Sequence, residues 1–219
     1  VYRSCSYGPL LDVFALDLRS VRGPNSSSRQ STASSATALA GARQIAWIKD
    51  ALVRSTATWK VMAIGMPLGL LVEDGATAFD GVGNGDGPPL GRELEVADLL
   101  RFIRDRRIHN VVWLTADVHY AAAHHYDPQR ARFTEFLPFW EFVAGPMHAA
   151  TGTPKRLDPT FGPEVRFLSV SPEDEPFAGP AAGRQYFGTL RIETSRAMTV
   201  TLHNLAGETI YSVDLEAEG

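Results

Sequence analysis

The stretch Glu93–Tyr120, ELEVADLLRFIRDRRIHNVVWLTADVHY, decides how the rest of the chain is read. Leu94, Val96, Leu99, Leu100, Phe102 and Ile103 recur at helical spacing, with Arg92, Glu95, Asp98, Arg101 and Arg104 on the other side. That pattern predicts a helix over 93–107 with one buried stripe. It leads straight into the apolar run Val111–Leu114, which reads as a buried strand, so helix and strand alternate as in a layered α/β fold. The strand then opens into Thr115-Ala116-Asp117-Val118-His119-Tyr120. In an extended chain, side chains two residues apart share a side, so Asp117 and His119 are expected to present a carboxylate and an imidazole together. Carboxylates suit hard ions, and imidazole suits Zn, Fe, Mn or Cu, so a mixed pair fits a two-metal hydrolytic centre better than a calcium cage. The same residues also allow a plain surface turn, with Asp117 capping local backbone and His119 solvated.

Other histidines follow closely. His124 and His125 are neighbours on a predicted strand over 121–126 and so face opposite sides, which lets at most one of them reach the same centre. His148 follows Gly145-Pro146 on a loop from which it could reach a substrate, whereas His109 and His203 read as ordinary strand residues. Upstream, Leu10–Arg19 reads as a strand so close to the start that the chain is expected to begin in mid-domain. Gly23–Ala36 is rich in Ser, Thr and Asn and reads as a surface loop. Ala38–Ser55 carries Ile45, Ile48 and Leu52 at helical spacing and predicts about four turns of helix. Trp59–Gly65 is a short buried strand stopped by Gly65 and Pro67.

Asp17, Arg19 and Arg22 form a second constellation. A guanidinium offers a planar fork that matches phosphate oxygens. An ion pair between Arg19 and Asp17 that pins the loop is the alternative, and simple physics favours it. Gly81–Pro89 has glycine at every second position, yet it precedes two prolines and lacks the Gly-Lys-Ser/Thr ending of a phosphate-cradling loop, so it is not expected to bind a nucleotide. No Gly-x-Ser-x-Gly elbow is present, which disfavours a serine hydrolase.

Beyond Asp117 the segments turn short and strand-like: 121–126, 140–144, 165–170, 186–192, 198–203 and 209–213. Met198, Val200 and Leu202 alternate with Thr199, Thr201 and His203, the signature of a sheet with one wet face. The Pro- and Gly-rich connections 145–162 and 172–183 are long enough to lie over an active face or a partner surface.

The 219 residues carry 44% hydrophobic content, enough for a substantial core. Twenty-one basic and 25 acidic residues leave a net charge of −4 with no basic block, so nucleic acid is not an expected partner. No run of apolar residues is long enough for a membrane span, and the first residues lack the build of a signal peptide. The single Cys5 excludes an internal disulfide and any Cys-x-x-Cys site.

Several stretches in order resemble the PhoD-like alkaline phosphatases of the calcineurin-like metallophosphoesterase superfamily: Tyr7–Phe14, Leu16–Asn25, Gln44–Ile48, Trp59–Val61, Leu114–His119 and Phe139–Pro146. The resemblance implies a two-sheet sandwich flanked by helices and ending in antiparallel strands. It also implies a binuclear metal centre, commonly iron and calcium with zinc or manganese as alternatives, that hydrolyses phosphate monoesters or diesters. Secretion by the twin-arginine route, to the periplasm or beyond, is common in the family. The likeness is to the C-terminal half of one catalytic domain. The remaining ligands, an Asp-rich strand end, a bridging Asp and an Asn before His-Asp or His-Glu, are expected on an upstream polypeptide. Asp117 and His119 correspond to the late Gly-Asp-x-His motif, with Ala116 in place of Gly, and would give a ligand to each metal, His119 also assisting with protons. Arg19 falls in the Leu-Asp-x-Arg motif, which the resemblance puts near the site, as a candidate catalytic residue. Two other classes stay open: a non-catalytic binding or structural module lacking the upstream ligands, and a phosphodiesterase for lipids or a phytate-type phosphatase using the same centre.

Overall fold

The computed structural model describes residues 1–85, 87–193 and 196–218. Asp86, inside the glycine-rich stretch, lies outside them. Six elements begin the frame of a seven-stranded mixed sheet around four parallel strands: β1 Arg3–Tyr7, β2 Leu11–Ala15, α1 Ala42–Arg54, β3 Trp59–Ala63 and, after the small hairpin of β4 Glu73–Asp74 and β5 Ala78–Phe79, α2 Glu93–Asp105 and β6 Val111–Thr115. β7 Ala122–Tyr126, β8 Phe139–Val143 and β9 Pro163–Leu168 complete the sheet in the order β1-β2-β3-β6-β8-β7-β9. β2, β3, β6 and β8 run parallel, while β1, β7 and β9 pair antiparallel to their neighbours. The three remaining strands, β10 Tyr186–Ile192, β11 Met198–Asn204 and β12 Thr209–Leu215, form a separate antiparallel sheet.

Alternation within the parallel strands explains the layering. Phe14, Met62 and Trp113 point to one side, where they meet Ile48, Leu52, Leu99 and Leu100 of the helices. Val61, Val112 and Phe142 point to the other, against Met198, Val200 and Leu215 of the small sheet. Both faces of the central strands are buried, as near-continuous apolar runs require. The result is helices on one face and a second sheet on the other, the sandwich expected from the sequence. The indole N–H of Trp59 donates to the carbonyl of Arg196 at 3.1 Å and ties the two sheets together.

The helices share one face because each has a single apolar stripe. Ile45, Ile48 and Leu52 are the buried stripe of α1, and Val96, Leu99, Leu100 and Ile103 that of α2. Glu95, in the first turn of α2, also takes the backbone N–H groups of Leu39, Ala40 and Gly41 at 3.1, 2.8 and 3.0 Å. A carboxylate there satisfies three consecutive amides of the segment that leads into α1.

Two expectations change. The first strand ends at Ala15 rather than Arg19, and a five-residue strand, β1, precedes it. β1 is exposed along its whole length and its Ser and Arg residues carry no apolar alternation, which left no signal in the sequence. The Gly23–Ala36 loop is also not merely superficial: Gly23 and Ser28 are buried, and its backbone is held by Arg92.

Candidate active site at the carboxyl edge of the parallel strands

Parallel strands bring their carboxyl ends to one edge of the sheet, where ligands of open α/β sheets bind. The loops after β2, β3, β6 and β8 meet there. A cleft of about 260 Å³ opens between the first three, lined by Asp17, Arg19, Arg22, Gly65, Met66 and Asp117 among others.

After β2, Asp17 builds the turn. Its Oδ1 accepts from the amides of Arg19 at 2.9 Å and Ser20 at 3.0 Å, and its Oδ2 from the Ser20 hydroxyl at 2.7 Å. Gln44 of α1 brackets the same residue, accepting from its N–H at 2.6 Å and donating to its carbonyl at 2.9 Å. Asp17 is therefore occupied with backbone, and the expected Arg19–Asp17 ion pair does not form. Arg19 turns instead to Asp117, with Nη2 at 4.0 Å from Oδ1, and its side chain stays 79% exposed. The turn projects a guanidinium over the cleft.

After β6 the chain is not extended, so alternation does not govern Asp117 and His119. Both have left-handed backbones, with φ of 76° and 61°. Aspartate and histidine tolerate this region better than most side chains. Val118 between them is buried, which leaves its two neighbours on the outer side of the loop. Burial, then the charge of Asp80, raises the Asp117 carboxyl, against the lowering effect of Arg19, His119 and Arg22. The ring of His119 meets the carbonyl of Ala150 at 2.9 Å through Nδ1. A carbonyl can only accept, so Nδ1 carries a proton, which leaves Nε2 as the ring atom able to offer a lone pair. A histidine fixed in this way is the usual form of a metal ligand.

The loop that supplies Ala150 approaches closely. The N–H of Gly152 donates to the carbonyl of His119 at 2.9 Å, and a Cβ on Gly152 would lie 2.0 Å from the carbonyl oxygen of Val118. Only glycine fits. The amide of Thr151 donates to the carbonyl of Ala178 at 2.9 Å, so both long connections, 145–162 and 172–183, converge beside His119.

The structure adds Asp80, which no sequence pattern marked, since it stands alone after a two-residue strand. Burial works against its ionisation, but the hydrogen bond and charge of Arg22 outweigh this and keep its carboxyl low. Arg22 donates to the Asp80 carbonyl at 2.8 Å and to Oδ1 at 2.7 Å.

The remaining histidines stand elsewhere. His124 is buried on the helix side of the sheet, with Nδ1 at 3.2 Å from Glu141. Glu141 also accepts from the Tyr126 hydroxyl at 2.5 Å and the Leu68 amide at 2.9 Å, so it holds the chain after β3. His125 packs on Trp140 and meets Arg130. His148 is exposed on its loop. His109 pairs with Glu218, and His203 stacks on Phe187.

Asp117 and His119 fit as donors for a cation, by donor chemistry and by the tautomer of His119. They are not a whole shell: among the described residues no group of three or more His, Cys, Asp or Glu is placed to hold a metal ion. No helix among them is long and apolar enough to cross a membrane.

Comparison with known proteins agrees with this architecture. A solved structure of PhoD, 18% identical, superposes with a TM-score of 0.51 over 100% of this chain and 44% of that one, which is a likeness of fold. The chain thus spans less than half the length of the structure it matches. A search of curated proteins finds no match. The sequence profile of the PhoD-like phosphatases matches residues 1–202, and the chain belongs to that family.

Proposed function

We propose that this chain forms part of a metal-dependent phosphoesterase that hydrolyses phosphate monoesters or diesters at the cleft between the loops after β2 and β6. The observation that carries the reading is the meeting of Arg19, Asp117 and the tautomer-fixed His119 at the carboxyl edge of the parallel strands. Asp117 and His119 would hold a binuclear centre, of iron and calcium or with zinc or manganese, together with ligands from an upstream polypeptide. Such a centre would supply Lewis acidity for the phosphoryl group and an activated water.

The residues of this chain have separable tasks. Arg19 hydrogen-bonds the non-bridging phosphate oxygens, and its exposure lets it follow the group as it enters. Ala150 holds His119 so that Nε2 faces a cation or, when free, a proton of the leaving group. Asp17 and Gln44 keep the Arg19 turn in place through backbone contacts rather than by touching substrate. Secretion or a periplasmic location is part of the same proposal, and it rests on the family.

The test is elemental analysis of the full-length protein for iron, calcium, zinc and manganese, beside turnover of aryl phosphate mono- and diesters. Asp117→Ala should lose bound metal and turnover together. Retained activity in that variant would sink the reading.

A binding or structural role is favoured by one observation, the lack of a third donor beside Asp117 and His119 among the described residues. It requires the full-length protein to bind no metal stoichiometrically.

A further inference from the structure

We propose that Arg92 is a positioning residue that holds the segment of Asp80 against Arg22, so that Arg22 presents a fixed positive charge at the cleft to the phosphoryl group. The proposal rests on the phosphoesterase reading of that cleft.

Arg92 is 2% exposed, at the start of α2. Its guanidinium has six acceptors. Nη1 donates to the carbonyls of Phe79, Asp80 and Gly81 at 3.1, 2.8 and 3.0 Å. Nη2 donates to the carbonyls of Gly23 and Pro24 at 3.0 and 3.1 Å and to Asn25 Oδ1 at 2.9 Å. These are two separate segments of chain, one following Arg22 directly and the other containing Asp80. The planar fork of arginine can bridge them, whereas the ammonium of lysine is a single point with three donors.

A buried cation satisfied mainly by neutral carbonyls is a costly way of joining two loops. Its position suggests what the arrangement serves. Arg22 and Arg92 converge on one carbonyl, that of Asp80, and the Asp80 carboxylate accepts from Arg22 at 2.7 Å. Two guanidinium groups against one carboxylate leave a net positive charge behind the cleft. Arg22 is only 14% exposed, and it lines the cleft alongside Asp117. Unlike Arg19, it is held from behind. A dianionic phosphoryl group therefore meets one adaptable arginine and one fixed arginine.

The test uses the full-length protein with Arg92→Lys, Arg22→Ala and the double variant, and reads three quantities: the binding constant of inorganic phosphate, kcat and KM for an aryl phosphate, and hydrogen exchange over 23–25 and 79–81. Each single variant should weaken phosphate binding and raise KM by about 10-fold or more, the scale of one charge-assisted hydrogen bond, with kcat changed far less. The double variant should be no worse than Arg22→Ala alone, because Arg92 acts through Arg22. Exchange should rise in both segments for Arg92→Lys. If that variant fails to fold, Asn25→Ala, which removes one acceptor, should shift KM in the same direction by a smaller factor. Additive losses in the double variant, or a fall in kcat with unchanged phosphate affinity, would overturn the proposal. Phosphate binding with this coupling but without ester turnover would overturn the phosphoesterase reading and uphold the positioning role. A wild-type protein that binds no phosphate would overturn both.

Discussion

Asp117 and Asp158 are carboxylates on loops that follow parallel strands, and their surroundings are opposite. Asp117 faces the cleft, with a guanidinium at 4.0 Å as its ion-pair partner. Asp158 is fully buried: Oδ2 accepts from the amides of Asn84 and Gly85 at 2.8 and 2.7 Å, and Oδ1 from the amide of Thr160 at 2.8 Å. Beside it lies Glu93, equally buried, whose Oε2 accepts from the Asn84 side chain at 2.7 Å and the Leu90 amide at 3.1 Å. Burial, and next the charge of Asp158, pushes the Glu93 carboxyl up to about 9. A carboxylate saturated by backbone amides is part of the scaffold. One left facing water and a cation has lone pairs to give. Residue type does not separate the two roles, but the number of amides within reach does.

The contrast is broken most severely from the scaffold side. Asp158→Ala would leave three amides without their acceptor at a buried site, each costing about 1–3 kcal/mol, so a stability loss of roughly 3–9 kcal/mol is expected in chemical denaturation. A loss under about 1 kcal/mol would mean that water replaces the carboxylate and that the contrast is overstated.

Glu93 gives a pH signature. Its folded value is raised above the ordinary 4.5, so the folded state binds the extra proton. The associated stability is whole below about pH 4.5 and is lost as pH rises toward about 9. Glu93→Gln cannot titrate, and its unfolding free energy should fall less steeply between these limits than that of the wild type, by a few kcal/mol in total. Parallel pH profiles would show that Glu93 does not hold a proton in the fold.

Gly152→Ala sharpens the other side. The added methyl would strike the Val118 carbonyl and displace the loop that fixes His119. Metal affinity of the full-length protein should fall by about 10–100-fold, the range for lost support behind a ligand. Unchanged affinity in a metal titration would show that Ala150 is not needed to orient the ring.

The smallest effect is the most diagnostic. Asp117→Ala without added metal should lower unfolding free energy by only about 1 kcal/mol, the cost of alanine at the left-handed φ of 76°. A loss approaching that of Asp158→Ala would place Asp117 with the scaffold.

Much of the frame was legible. α2 and β6 were read from period and run length, and β10 from its bounds, because burial of one stripe or of both sheet faces writes directly into residue order. β1 was not legible, since an edge strand exposed on both faces has no apolar period to display. The partner of Arg19 is hidden in the sequence for a different reason. Asp17 is two residues away in sequence, but its oxygens are taken by the backbone of its own turn, and that competition is visible only in three dimensions. Asp80 acts on the Asp117 carboxyl because Arg22 and Arg92 hold it nearby from distant segments.

By itself, the sequence determined the alternation of helix and buried strand, the antiparallel finish, and the family likeness that singles out Asp117, His119 and Arg19. Hydrophobic burial is periodic, and short motifs persist as local chemistry, so both survive in a linear string. The tertiary structure alone decided that Asp117 and His119 stand on a left-handed loop, that Ala150 fixes the tautomer of His119, and that Arg19 faces Asp117. Those outcomes depend on which hydrogen-bond partners come within about 3 Å, and residues far apart in the chain settle that only after the sheet has brought its strand ends to one edge.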